Sequence, residues 1–160
     1  MDAAQSNLSN LKEFSENLIL NREGEWFHDG QLITHERTIA LLFKSLYRNG
    51  KGYFLKGERV PIPVVVEGTP FFIEKMQKKK SRFSIFLSDG SEEVLNPSTI
   101  YFTEEGSPNC LVKEGTMSAR LTRKVYYQLT KSLVEKQGYL GLQVENLFYP
   151  LEIYDHSRKK

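Results

Sequence analysis

The sequence predicts an α+β fold built from two similar units, each a helix followed by antiparallel strands. Three observations carry this. Short apolar runs of strand length alternate with turn residues through most of the 160-residue chain. Two segments instead place apolar residues three and four apart, as a helix does. And a phrase recurs: "FKSLYRNGKGYFL" from Phe43 and "TKSLVEKQGYLGL" from Thr130 both run Lys-Ser-Leu, a polar stretch, then Gly-Tyr.

The elements follow in order. Leu8, Leu11, Phe14 and Leu18 recur at helical spacing behind Ser6 or Ser9, so residues 1–20 are expected to form an N-terminal helix. "GEWFHDGQLI" reads as two short strands joined at Asp29-Gly30. A helix is expected from Thr34, with Ile39, Phe43, Leu46 and Tyr47 on one face and Asn49-Gly50 as its stop. Strands are expected at Tyr53–Leu55, Val60–Val66 and Phe71–Met76. Pro61 and Pro63 lack backbone donors and assign the middle one to a sheet edge. These elements make a unit over 21–75.

The second unit is expected over 76–155, with a tail at 156–160. "SRFSIFLSDGSEEVLN" reads as a hairpin, followed by strands at Ile100–Thr103 and Cys110–Val112. A helix beginning between Ser118 and Thr122 would carry Leu121, Val125, Leu129 and Leu133 on its buried face and end at Gly138. Two closing strands, Leu140–Val144 and Leu147–Ile153, complete it. The order helix, Gly-Tyr, strand pair then occurs twice, which favours an internal duplication over chance.

Composition narrows the function. The formal net charge of +2 is too small for a nucleic-acid polymer partner, and Lys78-Lys79-Lys80 reads as a solvated loop tip. Cys110 is the single cysteine, so neither a disulfide framework nor a cysteine-based zinc site is expected. No apolar run approaches the roughly 20 residues that span a bilayer. A cytoplasmic protein without membrane partner, metal or cofactor is the expectation. His28, His35 and His156 have no metal-ligand spacing, and no catalytic motif is present. An enzyme is therefore the least supported class, with His35 and Glu58 as its only acid–base candidates.

The arginines are more informative. Arg37 is expected in the first turn of one helix beside His35. Arg120 and Arg123 are expected in the first turns of the other, on a face continued by Tyr127 and Lys131. Cations at a helix N-terminus oppose its dipole, and a bound phosphate or carboxylate would reverse that sign. Pairing with neighbours such as Glu36 or Glu114 is the alternative.

Three stretches, "GEWFHDGQLITHERTIALLFKSL", "GYFLKGERVPIPVVVEGTPFFI" and "GTMSARLTRKVYYQLTKSLVE", together resemble a bacterial family of uncharacterised proteins, domain of unknown function 1285. Trp26, Asp29-Gly30, Ile33, Arg37, Gly52-Tyr53, Glu58, Glu67, Pro70-Phe71, Ala119-Arg120, Arg123 and Tyr126-Tyr127 fill the family's places over about residues 21–151. The chain departs from the pattern at Gly68, where the family has aspartate, and at Glu145-Asn146, where it has small residues. The resemblance implies two similar α+β units, the second like a pleckstrin-homology-type barrel. It also implies a site between the units for a nucleotide-like molecule, and a link to signal transduction. The leading expectation is a regulatory protein that holds a small anionic or nucleotide-like ligand with Arg37, Arg120 and Arg123. Trp26, Tyr126 or Tyr127 would stack on it. The alternative is a protein–protein interaction module that offers Pro61–Val66 to a partner strand.

Overall fold

The computed structural model describes residues 17–57 and 60–151. By internal contacts the chain divides into two compact units, 1–71 and 72–160. The described residues are mostly strand, with two α-helices and one 3-10 turn.

Unit 1 contains β1 (Leu18–Leu20), β2 (Trp26–His28), β3 (Gln31–Leu32), α1 (Glu36–Ser45), β4 (Leu46–Asn49), β5 (Gly52–Leu55) and β6 (Ile62–Val66). They form one six-stranded sheet in the order β3-β2-β1-β6-β5-β4. The β2–β3 hairpin turns at Asp29 (φ 50°) and Gly30 (φ 80°), the geometry that Asp-Gly predicts. Leu18, Leu20, Trp26, Leu55 and Val64 are buried, as are Leu42 and Phe43 of α1. Trp26 is fully buried, edge-on to Phe43 at 5.4 Å, and Phe43 lies 6.1 Å from Phe71.

Four expectations change here. Most of the expected N-terminal helix lies outside the described residues. Its last three residues, Leu18–Leu20, belong to a strand, because β1 pairs with both Val64–Val66 and Trp26–His28. The α1 cap is His35 instead of Thr34, and its Nδ1 accepts from the Thr38 N–H at 3.3 Å. The helix stops at Ser45, well before Asn49-Gly50. Leu46 and Tyr47 instead face Leu55 and Phe54 across β4–β5, where apolar cross-strand pairs outweigh another helical turn. Finally, β6 lies inside the sheet, between β1 and β5. The prolines are tolerated because the strands are staggered. β5 pairs Ile62–Val64, β1 pairs Val64–Val66, and only Val64 is flanked on both sides. β6 is therefore an interior strand of this sheet and not an edge strand.

Unit 2 contains β7 (Phe71–Lys79), β8 (Arg82–Leu87), β9 (Glu92–Val94), the 3-10 turn Pro97–Thr99, β10 (Tyr101–Phe102), β11 (Pro108–Val112), β12 (Met117–Leu121), α2 (Arg123–Lys131), β13 (Val134–Lys136), β14 (Tyr139–Val144) and β15 (Leu147–Pro150). One sheet runs β10-β11-β12-β7-β8-β9 and a smaller one β13-β14-β15. The larger sheet curls. The Glu93 carboxylate on edge strand β9 accepts from the Lys113 N–H just beyond β11, at 3.0 and 3.2 Å, although three strands intervene.

The second helix begins at Arg123, after Thr122. Arg120 lies in β12, where Cys110 opposes Ala119 and Asn109 opposes Arg120. The helix ends at Lys131 and not at Gly138. Gly138 (φ 83°), with Gln137 (φ 52°), instead turns β13 into β14. In both units the helix thus leads into a three-stranded antiparallel meander, β4–β5–β6 and β13–β14–β15.

A polar lock holds the curl. Lys113, Glu114 and Gly115 all adopt left-handed φ (53°, 57° and 82°), a costly run for two non-glycine residues. Lys113 Nζ donates to Asp89 at 2.6 Å and to Ser91 Oγ at 2.9 Å. Burial pushes the Asp89 carboxyl up, but the hydrogen bonds from Lys113 and Ser91 and the lysine charge outweigh it and hold the pKa below the usual 3.8. A depressed folded-state pKa adds stability above the usual value and loses it as pH falls through the folded one. Asp89→Asn is therefore expected to cost about 1.5–3 kcal/mol at neutral pH, and the difference from the parent should shrink below pH 3.8. Urea unfolding at several pH values measures this; a constant difference down to the acid limit would contradict it.

Candidate functional site

The N-terminus of α2 is built unusually. The Phe72 carbonyl accepts from the Ser88 N–H on the β8 side, so by strand alternation the Ile73 carbonyl faces the chain after β12, the other neighbour of β7. Thr122 takes it twice, through its N–H at 3.3 Å and its Oγ1 at 2.9 Å. The hydroxyl of the N-cap residue is thereby turned away from the helix, and no side chain caps the free N–H groups. No acidic residue occupies the first turn. Arg123 and Lys124 do, and both are exposed.

Arg120 stands three residues earlier, so its Cα lies within about 11 Å of that of Arg123. On β12, Met117, Ala119 and Leu121 point to the core, and Ser118 and Arg120 take the other face. On that face Asn109 opposes Arg120, and Tyr101 opposes Asn109. Asn109 is nonetheless 2% exposed, and its Oδ1 has no hydrogen-bond partner. A buried, unsatisfied acceptor costs about 1–3 kcal/mol. Among the described residues, neither Arg120 nor Arg123 makes an ion pair or hydrogen bond, so Glu114 does not neutralise them. Positive charge, free N–H groups and one unmet acceptor therefore occur together on unit 2.

The other candidates separate. Arg37 is exposed in the first turn of α1, also without an ion pair among the described residues, but Glu36 and the His35 cap already serve that helix end. His35 is thus a capping residue, its Nδ1 also 3.1 Å from Thr38 Oγ1. Glu58 lies outside the described residues. Trp26 is enclosed in the core of unit 1 and its indole N–H has no partner; no face is open for stacking. Tyr126 is half-buried, edge-on to Phe102 at 6.1 Å. Tyr127 is 61% exposed, with Lys131 Nζ 4.5 Å from its ring centre, as the spacing of four predicts. Of the aromatic candidates Tyr127 is the one with an open face.

Other chemistry finds little support. Burial, then the charge of Glu93, pushes the Cys110 thiol up to about 12, so it is no nucleophile at neutral pH. Among the described residues no group of three His, Cys, Asp or Glu side chains could hold a metal, and no helix is long and apolar enough to cross a membrane. A groove beside β9 and β11 is lined by Glu93, Glu114 and Lys113, but the lysine is committed to Asp89. Its charge does not suit an anion.

The diverted Thr122 hydroxyl and Asn109 escaped sequence reasoning. Asn109 left a weak trace, a polar residue of low strand propensity inside "PNCLV". The distant Ile73 carbonyl that draws the Thr122 hydroxyl away left none. The two departures at Gly68 and Glu145-Asn146 also acquire locations. An added Cβ at Gly68 would lie 3.3 Å from Arg22 Cα, so an aspartate there would press on the neighbouring backbone. Glu145 (φ 54°) turns β14 into β15 and accepts from Arg82 Nε at 2.7 Å.

This mostly-β, two-unit α+β architecture is that of a structurally known set of proteins. No protein-family profile and no curated protein sequence matches the chain. Two solved structures do. One, a DUF1285 family protein from Silicibacter pomeroyi DSS-3, has a TM-score of 0.73 at 19% identity over 89% of this chain and 82% of that one. Another, a DUF1285 family protein from Shewanella baltica OS155, has a TM-score of 0.62 at 20% identity over 71% of this chain and 90% of that one. The chain therefore has the fold of the DUF1285 family proteins, in keeping with the resemblance in its sequence.

Proposed function

We propose that this protein binds a small anionic ligand at the N-terminus of α2 in unit 2, and that it acts as a binding or regulatory protein. The observation that carries the reading is the diversion of the Thr122 hydroxyl to Ile73, which leaves a helix N-terminus uncapped beside Arg120 and Arg123. An anion there would meet free N–H groups, a favourable dipole and two guanidinium groups. Tyr127 supplies the exposed aromatic face for a planar group, in line with a nucleotide-like ligand. The paired helix-plus-meander arrangement supports an internal duplication. The curled sheet of unit 2, followed by α2, supports the likeness to a pleckstrin-homology-type barrel, and a role in signal transduction rests on that likeness alone.

Calorimetric titration with pyrophosphate and with nucleoside mono-, di- and triphosphates tests the reading. Arg120→Ala and Arg123→Ala are each expected to weaken binding about tenfold or more, which corresponds to about 1.4 kcal/mol. Both residues are exposed, so thermal stability without ligand should hardly change. Unchanged affinity in both variants would remove the site.

A further inference from the structure

The curled sheet of unit 2 does not close on itself. Its outer strands are β9 and β10, and β10 is only two residues long. β10 pairs with Pro108 and Asn109, so β11 runs on past it, and Leu111 has no strand partner on that side. Two side chains reach in instead. Thr99 Oγ1 accepts from the Leu111 N–H at 3.3 Å, and the Glu93 carboxylate accepts from the Lys113 N–H. Between β9 and this stretch lies a groove of about 820 Å³, the size of a ligand site. Val94, 55% exposed, and Leu111, 37% exposed, give it apolar area, and Glu93 and Glu114 give it two carboxylates. Neither carboxylate makes an ion pair among the described residues. The lysine that lines the groove, Lys113, is held by Asp89 and Ser91. β9 also keeps one side of its backbone unpaired. The Leu87 N–H donates to the Ser91 carbonyl and the Leu95 N–H to the Phe83 carbonyl, so residues 91, 93 and 95 turn their peptide groups toward β8. By alternation Glu92 and Val94 turn theirs away, to the side where no strand follows.

We infer that this seam binds an extended peptide segment with basic side chains, which adds to β9 as a further strand. Its backbone pairs with the outward N–H and C=O groups of Glu92 and Val94. A lysine or arginine side chain enters the groove, its charge directed to Glu93 or Glu114 and its methylenes against Val94 and Leu111. Charge decides the partner. A free strand edge invites a second copy of the chain, and charged residues are a usual guard against that. Glu92, Glu93 and Glu114 lie on or beside this edge, and of the three Glu92 alone is paired, with Lys79 at 2.7 Å. Two such edges repel one another, and a basic strand is drawn in. Glu93 is already oriented for the contact. Both its oxygens share the single Lys113 N–H, at 3.0 and 3.2 Å, which leaves the carboxylate with further acceptor capacity.

Fluorescence anisotropy of the full chain with a labelled Val-Lys-Val-Lys-Val peptide tests this. Saturable binding is expected, about tenfold or more tighter than that of Val-Glu-Val-Glu-Val. Glu93→Gln/Glu114→Gln is expected to weaken it by about tenfold. Glutamine keeps an oxygen for the Lys113 N–H, so thermal unfolding without peptide should hardly change. Backbone pairing has its own readout. Of two peptides methylated at alternate backbone nitrogens, one on the lysines and one on the valines, one should lose binding and the other keep it, because only alternate residues face a neighbouring strand. Equal affinity of these two peptides would reduce the contact to charge alone and overturn the strand pairing. No saturable binding below about 1 mM, or equal affinity for the glutamate peptide, would overturn the proposal outright.

Discussion

Trp26→Ala is expected to destabilise the protein by about 3–5 kcal/mol, the range for deleting a large buried aromatic. Trp26 is the chain's only tryptophan and one of its fully buried side chains. Its ring meets Phe43 edge-on at 5.4 Å, and Phe43 in turn lies 6.1 Å from Phe71. Alanine would open a cavity where the sheet meets α1, and close packing leaves little room for collapse. A domain is typically stable by only about 5–15 kcal/mol, so unit 1 should be close to unfolding. Trp26→Phe is the informative companion. It keeps an aromatic ring against Phe43 and removes an indole N–H that has no partner, so it should cost far less. Urea unfolding followed by far-UV circular dichroism compares the two. A loss below about 1 kcal/mol for the alanine variant would mean that the site relaxes freely and that this packing account is wrong. The same pair bears on ligand binding: a stacking role for Trp26 would lower affinity in Trp26→Phe, and its enclosure predicts no change.

Gly141→Ala is expected to cost about 3 kcal/mol or more, because the clash is with backbone. Gly141 sits in the middle of β14, opposite Pro150. A Cβ there would collide with the Tyr149 carbonyl oxygen and approach Phe148 Cζ and Pro150 Cα, each at 2.8 Å. A flexible side chain could swing away; the carbonyl and the Cα are held by the β14–β15 ladder. Gly138→Ala separates space from conformation. Gly138 is left-handed at φ 83° but has open space around its would-be Cβ. Its cost should be about 1–2 kcal/mol, the ordinary penalty for an L-residue in that region. Equal losses at the two positions would show that conformation, not the close approach, limits Gly141.

The hairpins were legible because their signals are local. Asp29-Gly30 carries its own left-handed turn, and Asp89-Gly90 closes β8–β9 with the Gly90 N–H donating to Leu87 at 2.9 Å. The buried stripe of α2 was legible in Val125 and Leu129. Its extension to Leu121 misled, because a residue four positions before Val125 can equally be an inward residue of the preceding strand. Arg120 was displaced for the same reason. It belongs to the outward face of β12, and sequence spacing does not tell that face from a first helical turn. Pro61 and Pro63 suggested an edge; Pro61 precedes β6, and a stagger between β1 and β5 admits Pro63 to the interior. As for the candidate site, Arg123 at the head of a helix was legible. The uncapped state of that head and the unmet acceptor at Asn109 were not.

By itself the sequence determined the α+β class, the hairpin turns, the buried stripe of the second helix and the pairing of two helix-plus-strand phrases. Each follows from residues within a few positions of one another. Tertiary structure decided where the helices stop, which strand lies inside the first sheet and why one helix end is left open. Those outcomes depend on partners far away in the chain. Tyr47 leaves its helix for Phe54, β6 is enclosed by a strand that begins at Leu18, and Thr122 spends its hydroxyl on Ile73, 49 residues earlier. Local propensity is worth tenths of a kcal/mol to about 1 kcal/mol per residue, and pairing across a sheet, with the burial it brings, outweighs it wherever the two disagree.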